Sequence, residues 1–327
     1  MRFAALFPGQ LSEKAGMGEA LAAAHPYVSS FFAEVAERTD VDVPAVFFGE
    51  GRRDLHDDLP AQVGVFAVSV AALDVLAEEH GLEPSASAGY SLGTYAAYVA
   101  AGVLDRWAAL DVLFEAERLL RAHAPAGGMG FVIGLPEAEV AAEIARLTRD
   151  PRELAIGNVN AAQQIVLTGR RELLLRALDR LAGRSLKAEA LPLTWPMHSS
   201  ALEPVASELS AFVAREVRMT WPGRAALYAP MLGRVVRSEE EARLVLGTQI
   251  AHASRWADVL AAMAAAGETR FAEVGPGDLL SKMHRWTLRR SRADVLEEPV
   301  GIARFAAELA AVAPGERGEA ATREEAT

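Results

Sequence analysis

Ala88-Gly89-Tyr90-Ser91-Leu92-Gly93 places a Gly-x-Ser-x-Gly sequence where a strand should hand over to a helix. The small-residue run 85–88 follows a proline, and 94–104 is alanine-rich with no helix breaker for two turns. That is the setting in which this motif lifts a serine hydroxyl out at a helix N-terminus. Ser91 is the candidate nucleophile. The two glycines let the chain turn where a side chain would obstruct it, and amides at the helix terminus can stabilise an oxyanion. A glycine-flanked serine can also do no more than cap a helix, so the surroundings decide.

Outward from this turn the chain reads as an α/β protein. Residues 1–7 form a first strand that stops at Pro8-Gly9-Gln10, a punctuated loop of the kind that carries ligand contacts in such folds. Helices are expected over 19–24, 29–39 and 61–80, where Val63, Phe66, Val70, Leu73 and Leu76 recur at helical spacing, and over 107–122. Pro125 and Gly127-Gly128 mark a boundary. Beyond it, strands at 130–135, 154–159, 163–168 and 186–193 and helices at 136–147 and 170–181 give the order β-α-β-β-α-β of a ferredoxin-like unit. The large domain resumes with a helix at 202–216, a strand at 225–229 and helices at 239–250 and 256–266. A strand then ends in Gly275-Pro276-Gly277. The expected organisation is a large domain over 1–126 and 194–316, a small domain inserted over 127–193, and a polar, disordered tail over 317–327.

With 327 residues, 51% of them hydrophobic, the chain can bury a large core. A net charge of -11 argues against nucleic acid as partner. The absence of cysteine excludes disulfides and thiol nucleophiles and is compatible with a reducing cytosol, so a cytoplasmic location is expected. The sequence shows no metal-ligand cluster, no signal peptide and no uninterrupted apolar run of membrane-spanning length, so neither a metal nor a membrane is expected as a partner.

A nucleophilic serine needs a base, usually histidine. Of the seven histidines (His25, His56, His80, His123, His198, His252 and His284), most fall on polar helical faces and read as solvated. His198 differs: it follows a strand, between Pro196-Met197 and two serines, at the crossover between the two domains.

Taken together, Phe7-Pro8-Gly9-Gln10, Gly89-Tyr90-Ser91-Leu92-Gly93, the mid-chain insertion, Pro196-Met197-His198-Ser199, Gln249 ahead of Arg255-Trp256, and Glu273-Val274-Gly275-Pro276-Gly277 resemble malonyl-CoA:acyl carrier protein transacylases and polyketide synthase acyltransferase domains. The resemblance covers residue 2 to about 310. It implies an α/β-hydrolase-like large domain with a parallel sheet, and a ping-pong transfer in which Ser91 is acylated and His198 is the base. It further implies an oxyanion hole from the backbone amides of Gln10 and Leu92, and a histidine oriented by the backbone carbonyl of Gln249. Gln62, Tyr90, Ala116, Trp195 and Met197 match pocket positions. The implied partners are acyl-CoA and an acyl carrier protein; CoA thioester and phosphopantetheine are substrates, and no cofactor is needed. Arg285, Arg289 and Arg290, expected on one helix, are candidates for the carrier-protein surface.

This sequence departs from the pattern at one consequential place. Malonyl-using members carry an arginine on the helix after the elbow helix, and an ungapped register through Ala100-Ala101-Gly102-Val103-Leu104-Asp105 puts Ala116 there. Arg118 is rotated by about 200° from that position on a helix, and Arg121 lies more than a turn further along. A buried carboxylate without a cation costs several kcal/mol, so the resemblance implies a neutral acyl group rather than malonyl. Tyr90 and Thr94 stand where the family usually has His and Glu, and Leu11 where it has Gly. Hydrolysis of acyl groups from a carrier protein, or malonyl transfer with an atypical carboxylate partner, are the other readings of the same chemistry. A non-catalytic scaffold is disfavoured by the intact Ser91, His198 and Gln10.

Overall fold

The computed structural model describes residues 2–49, 55 and 58–312. His56 and the expected tail over 317–327 lie outside the described residues. Ten strands are described: β1 (Ala4–Phe7), β2 (Ala86–Gly89), β3 (Gly128–Ile133), β4 (Leu154–Ala161), β5 (Gln164–Gly169), β6 (Lys187–Ala190), β7 (Ala226–Ala229), β8 (Arg234–Val235), β9 (Phe271–Val274) and β10 (Ala293–Leu296). The larger sheet has the order β10-β9-β1-β2-β7-β8. Its first five strands run parallel and β8 pairs antiparallel with β7. Both β1 and β9 are buried along their whole length, as a parallel sheet covered by helices on two faces requires.

The register decides where the chemistry sits. Phe7 of β1 lies level with Gly89 of β2, so the Pro8-Gly9-Gln10 loop and the Tyr90-Ser91 turn leave the carboxyl edge of the sheet side by side. In open α/β sheets that edge is where ligands bind. Behind it runs the helix Asp58–His80. By length and composition it could cross a membrane, yet 83% of its apolar stretch is buried inside the fold, which makes it the core helix of the larger unit.

Residues 128–190 build a second sheet, β4-β5-β3-β6, antiparallel throughout. The helices Glu137–Leu147 and Arg171–Ala182 cover one face, with Val140, Leu174, Ala177 and Leu181 packed on Val132, Ile165 and Leu167. The two units touch through main chain. Ser254 N–H donates to the Gly157 carbonyl at 2.7 Å, and Val159 N–H donates to the Ser254 carbonyl at 2.8 Å.

Several elements differ from the sequence reading. The strand expected over 186–193 shrinks to β6, an edge strand paired only with β3, and Leu186 just before it is 81% exposed. The helix expected over 239–250 stops at Thr248 and tightens into a 3₁₀ turn, Gln249–Ala251. Strands β8 and β10 and the helix Pro299–Val312 were not foreseen; β8 has only two residues, and the mixed Ala293-Asp294-Val295-Leu296 shows no clean alternation.

Candidate active site

Ser91 lies one residue beyond the end of β2, after Tyr90, and adopts φ of +53°. The strain of the turn therefore falls on the serine itself, a left-handed conformation costing of order 1–3 kcal/mol that surrounding structure must hold. The glycines keep the turn clear of side chains, as the sequence suggests. Gly93 has an ordinary φ of -59°, but a Cβ there would lie 2.1 Å from the Phe7 carbonyl oxygen, and one on Gly89 would lie 2.1 Å from the Gly93 carbonyl group. Bare backbone is needed because the end of β1, the end of β2 and the helix Thr94–Ala100 converge there. Leu11, where the family pattern has glycine, also sits at positive φ, +73°.

His198 reaches the serine from the opposite side, on a segment fixed by its own N–H donating to the Ile250 carbonyl at 2.7 Å and by Ser199 Oγ donating to the Pro196 carbonyl at 2.7 Å. Nε2 of His198 lies 2.8 Å from Ser91 Oγ. Nδ1 faces two carbonyl oxygens, Gln249 at 3.1 Å and His252 at 3.2 Å. Since both partners only accept, Nδ1 must carry the proton and Nε2 the lone pair, so Ser91 O–H donates to the ring. Burial pushes the His198 pKa down, against a smaller upward pull from the two carbonyls, which keeps the imidazole a neutral base.

The break at Thr248 aims the Gln249 carbonyl at the histidine. The His252 carbonyl was missed by sequence reasoning, because a main-chain acceptor leaves no side-chain signature; only the ring of His252 was considered. Gln10 and Leu92 border the same cavity as Ser91, and their N–H groups have no protein acceptor among the described residues. These are free donors of the kind an oxyanion hole needs.

The cavity in front of Ser91 has a volume of about 390 Å3 and an apolar lining. All the other sequence-predicted site residues border it: Gln62, Tyr90, Ala116, Trp195, Met197 and Gln249. Leu279 and Met283, from the helix Leu279–Thr287, and Phe131, Ile133 and Val166, from the small sheet, close its other walls. Tyr90 packs edge-on against Trp256, with ring centroids 5.5 Å apart, and its hydroxyl accepts from Asn158 Nδ2 at 3.1 Å. Burial pushes the Tyr90 pKa up to about 12, so the ring stays neutral.

Ala116 is 3% exposed on the helix Arg106–His123 and presents only a methyl group at the cavity. Arg118 points away, its guanidinium paired with Glu115 through two hydrogen bonds of 2.7 Å. Arg121 Nε donates to Glu117 Oε1 at 2.7 Å, and Gln62 Nε2 donates to Glu117 Oε2 at 2.8 Å. Glu117 is a buried carboxylate that sequence reasoning missed; burial raises its pKa and the two donors lower it in part.

Two expectations away from the pocket need correction. His284 is not solvated: it is fully buried against Phe271, with ring centroids 4.5 Å apart. Of the three arginines expected on one helix, only Arg285 lies on Leu279–Thr287, because the helix ends before Leu288 and leaves Arg289 and Arg290 in the following turn.

Comparison with known proteins is consistent across three levels. The family described as "Acyl transferase domain" matches residues 5–309. The malonyl CoA-acyl carrier protein transacylase of Salmonella typhimurium is 29% identical over 309 residues, 92% of this chain and 97% of that protein. The polyketide biosynthesis protein ThaF of Burkholderia thailandensis is 33% identical over 281 residues, 86% of this chain but 24% of that longer protein. Among solved structures, the malonyl-CoA:acyl carrier protein transacylase of Xanthomonas oryzae superposes with a TM-score of 0.87 at 29% identity, covering 94% of this chain and 99% of that one. A malonyl-transacylase solved in complex with a type II polyketide acyl-carrier protein gives a TM-score of 0.88 at 26% identity over 94% of this chain and 100% of the other. The large α/β unit and the small ferredoxin-like unit are shared with these structures.

Proposed function

The chain belongs to the acyl transferase domain family, and from that footing we propose that it moves a neutral acyl group, through an ester on Ser91, from a CoA or carrier-protein thioester to the thiol of an acyl carrier protein. The observation that carries this reading is the conjunction of a serine–histidine pair at 2.8 Å with a cavity whose expected cation is replaced by Ala116. Relatives of this chain are named malonyl transferases; the family resemblance implies an arginine in such enzymes where this chain has Ala116.

In the first half-reaction, Ser91 Oγ attacks the thioester carbon while its proton passes to His198 Nε2. The negative charge that develops on the carbonyl oxygen falls to the N–H groups of Gln10 and Leu92. Collapse of the tetrahedral state breaks the C–S bond, and the departing sulfur takes the proton from Nε2. The second half runs the same steps in reverse with the carrier's phosphopantetheine thiol as nucleophile. Carbonyl dipoles alone orient the base, which suits a site where the imidazolium need last only as long as each tetrahedral state. A malonyl carboxylate in this cavity would meet the Ala116 methyl group, with Arg118 committed to Glu115 on the outside and Lys187, which also borders the cavity, paired with Glu189 at 3.0 Å, and a buried, unpaired carboxylate costs several kcal/mol.

The test is intact-protein mass measurement after brief exposure to acetyl-, butyryl- and malonyl-CoA, followed by holo carrier protein. Acetyl and butyryl adducts are expected on the wild type and none on Ser91→Ala. Ala116→Arg should shift labelling toward malonyl by at least about tenfold, the equivalent of one regained charge-assisted pair. Ready malonyl labelling of the wild type would sink the neutral-acyl reading. Loss of the adduct without its appearance on the carrier would mean that water, rather than the thiol, is the acceptor.

A further inference from the structure

Two of the polar side chains that line the cavity, Gln62 and Gln10, are oriented by carboxylates behind it. Gln62 Nε2 is turned to Glu117 Oε2 at 2.8 Å, and Gln10 Nε2 is turned to Asp58 Oδ1 at 2.8 Å. A carboxylate accepts only, so each glutamine must direct its NH2 end there. Each then keeps its carbonyl oxygen, Oε1, as its acceptor toward the cavity that both side chains border, beside one further N–H. Asp58 and Gln62 are four residues apart on the helix Asp58–His80 and share one face, and Asp58 is close enough to Glu117 to raise its pKa further. Glu117 has both oxygens occupied, one by Gln62 and one by Arg121. It therefore has little freedom to release the Gln62 amide.

We propose that this cavity selects acyl groups bearing a hydroxyl, because Glu117 and Asp58 hold Gln62 and Gln10 with their carbonyl oxygens available to accept from a donor on the acyl chain. The inference rests on the neutral-acyl reading above and deepens it. A carboxylate or a plain alkyl chain would leave both carbonyls without a donor, whereas a hydroxyl supplies one. In this arrangement Gln62 touches the substrate, and Glu117 is a positioning residue that acts through it.

The test compares single-turnover acylation of Ser91 by N-acetylcysteamine thioesters of butyrate, 2-hydroxybutyrate, 3-hydroxybutyrate and malonate, using the full chain and intact mass as readout. In the wild type one of the two hydroxy isomers should react about fivefold faster than butyryl, the worth of one net neutral hydrogen bond. In Glu117→Ala the Gln62 amide is free to turn over, and the ratio should fall to about one. Gln62→Met, which keeps the side-chain length and removes the carbonyl, should do the same. Because the readout is a ratio between two substrates of one protein sample, partial loss of folding cannot imitate it. Hydroxybutyryl ratios of one or below in the wild type, or a preference untouched by both variants, overturn the proposal and leave the neutral-acyl reading standing. Fast malonyl labelling overturns that reading instead.

Discussion

Among the described residues, two buried histidines each meet a serine at almost the same distance. His198 Nε2 lies 2.8 Å from Ser91 Oγ, and His284 Nε2 lies 2.7 Å from Ser291 Oγ. Burial lowers the pKa of both rings, to about 4 for His284. Only the first pair has the surroundings that the proposed chemistry needs. Its Nδ1 is held by two carbonyls, its serine is strained at positive φ against bare glycine backbone, and an apolar cavity opens in front of it. Nδ1 of His284 has no partner, the ring lies on Phe271, and neither His284 nor Ser291 borders the cavity. A short serine–histidine distance is thus not a catalytic dyad; an oriented tautomer and an exposed reaction face make the difference.

The sharpest way to break that contrast is to cut each pair in turn. His198→Ala should slow acylation by roughly 10²- to 10⁴-fold, the usual worth of a general base, whereas Ser291→Ala should leave the rate within about twofold; single-turnover mass labelling measures both. A large effect from Ser291 would erase the distinction.

Next in size is the backbone convergence that the first pair has and the second lacks. Gly93→Ala puts a methyl group 2.1 Å from the Phe7 carbonyl oxygen and should cost about 3 kcal/mol by overpacking, read from urea unfolding. An alanine accepted without loss would mean that the elbow is not held by this contact.

The pH profile sharpens the comparison further. Because burial lowers the His198 pKa, Nε2 keeps its lone pair throughout the neutral range. The acylation rate should stay flat there and fall only as pH drops below the ordinary histidine value of about 6.5. An acid limb centred at or above that value would contradict the assignment.

The smallest effect is expected at His284. Its folded pKa is about 4, below the unfolded value. The unfolded chain therefore binds a proton that the folded one refuses, and stability drains away as pH falls from about 6.5 toward 4. His284→Leu should change stability at pH 7.5 by no more than about 1 kcal/mol, and its melting temperature should drop less than that of the wild type between pH 7.5 and 5. An unchanged pH dependence would show that the ring is not the group responsible.

Much of this was legible in the chain. Gly-x-Ser-x-Gly between a small-residue strand and an alanine-rich helix located the elbow, the stretches of β1 and β9 read as strands, and the family resemblance implied the parallel sheet they form. The ungapped register from Ser91 placed Ala116 at the cavity wall. What escaped depends on tertiary contact. The His252 carbonyl has no side-chain signal. Glu117 reads as one more charged residue in Phe114-Glu115-Ala116-Glu117-Arg118 until the Gln62 amide is seen to meet it. His284 sits among Lys282, Arg285 and Trp286, so local composition suggests solvent while the packing of the helix Leu279–Thr287 buries it. The early end of the helix Glu239–Thr248 was hidden for the same reason: nothing in Gly247-Thr248-Gln249-Ile250 forbids another turn, and the geometry is fixed by what the carbonyls meet.

The short stretch from Gln249 to Ser254 carries the two carbonyls that steer His198 and, at its far end, the main-chain bonds to Gly157 and Val159 of the small sheet. One strut of six residues therefore braces both the proposed proton acceptor and the small-sheet half of the pocket wall. Sliding the small sheet along that seam would tug on the imidazole's anchor points, so the aim of the base and the width of the acyl chamber are mechanically one setting rather than two.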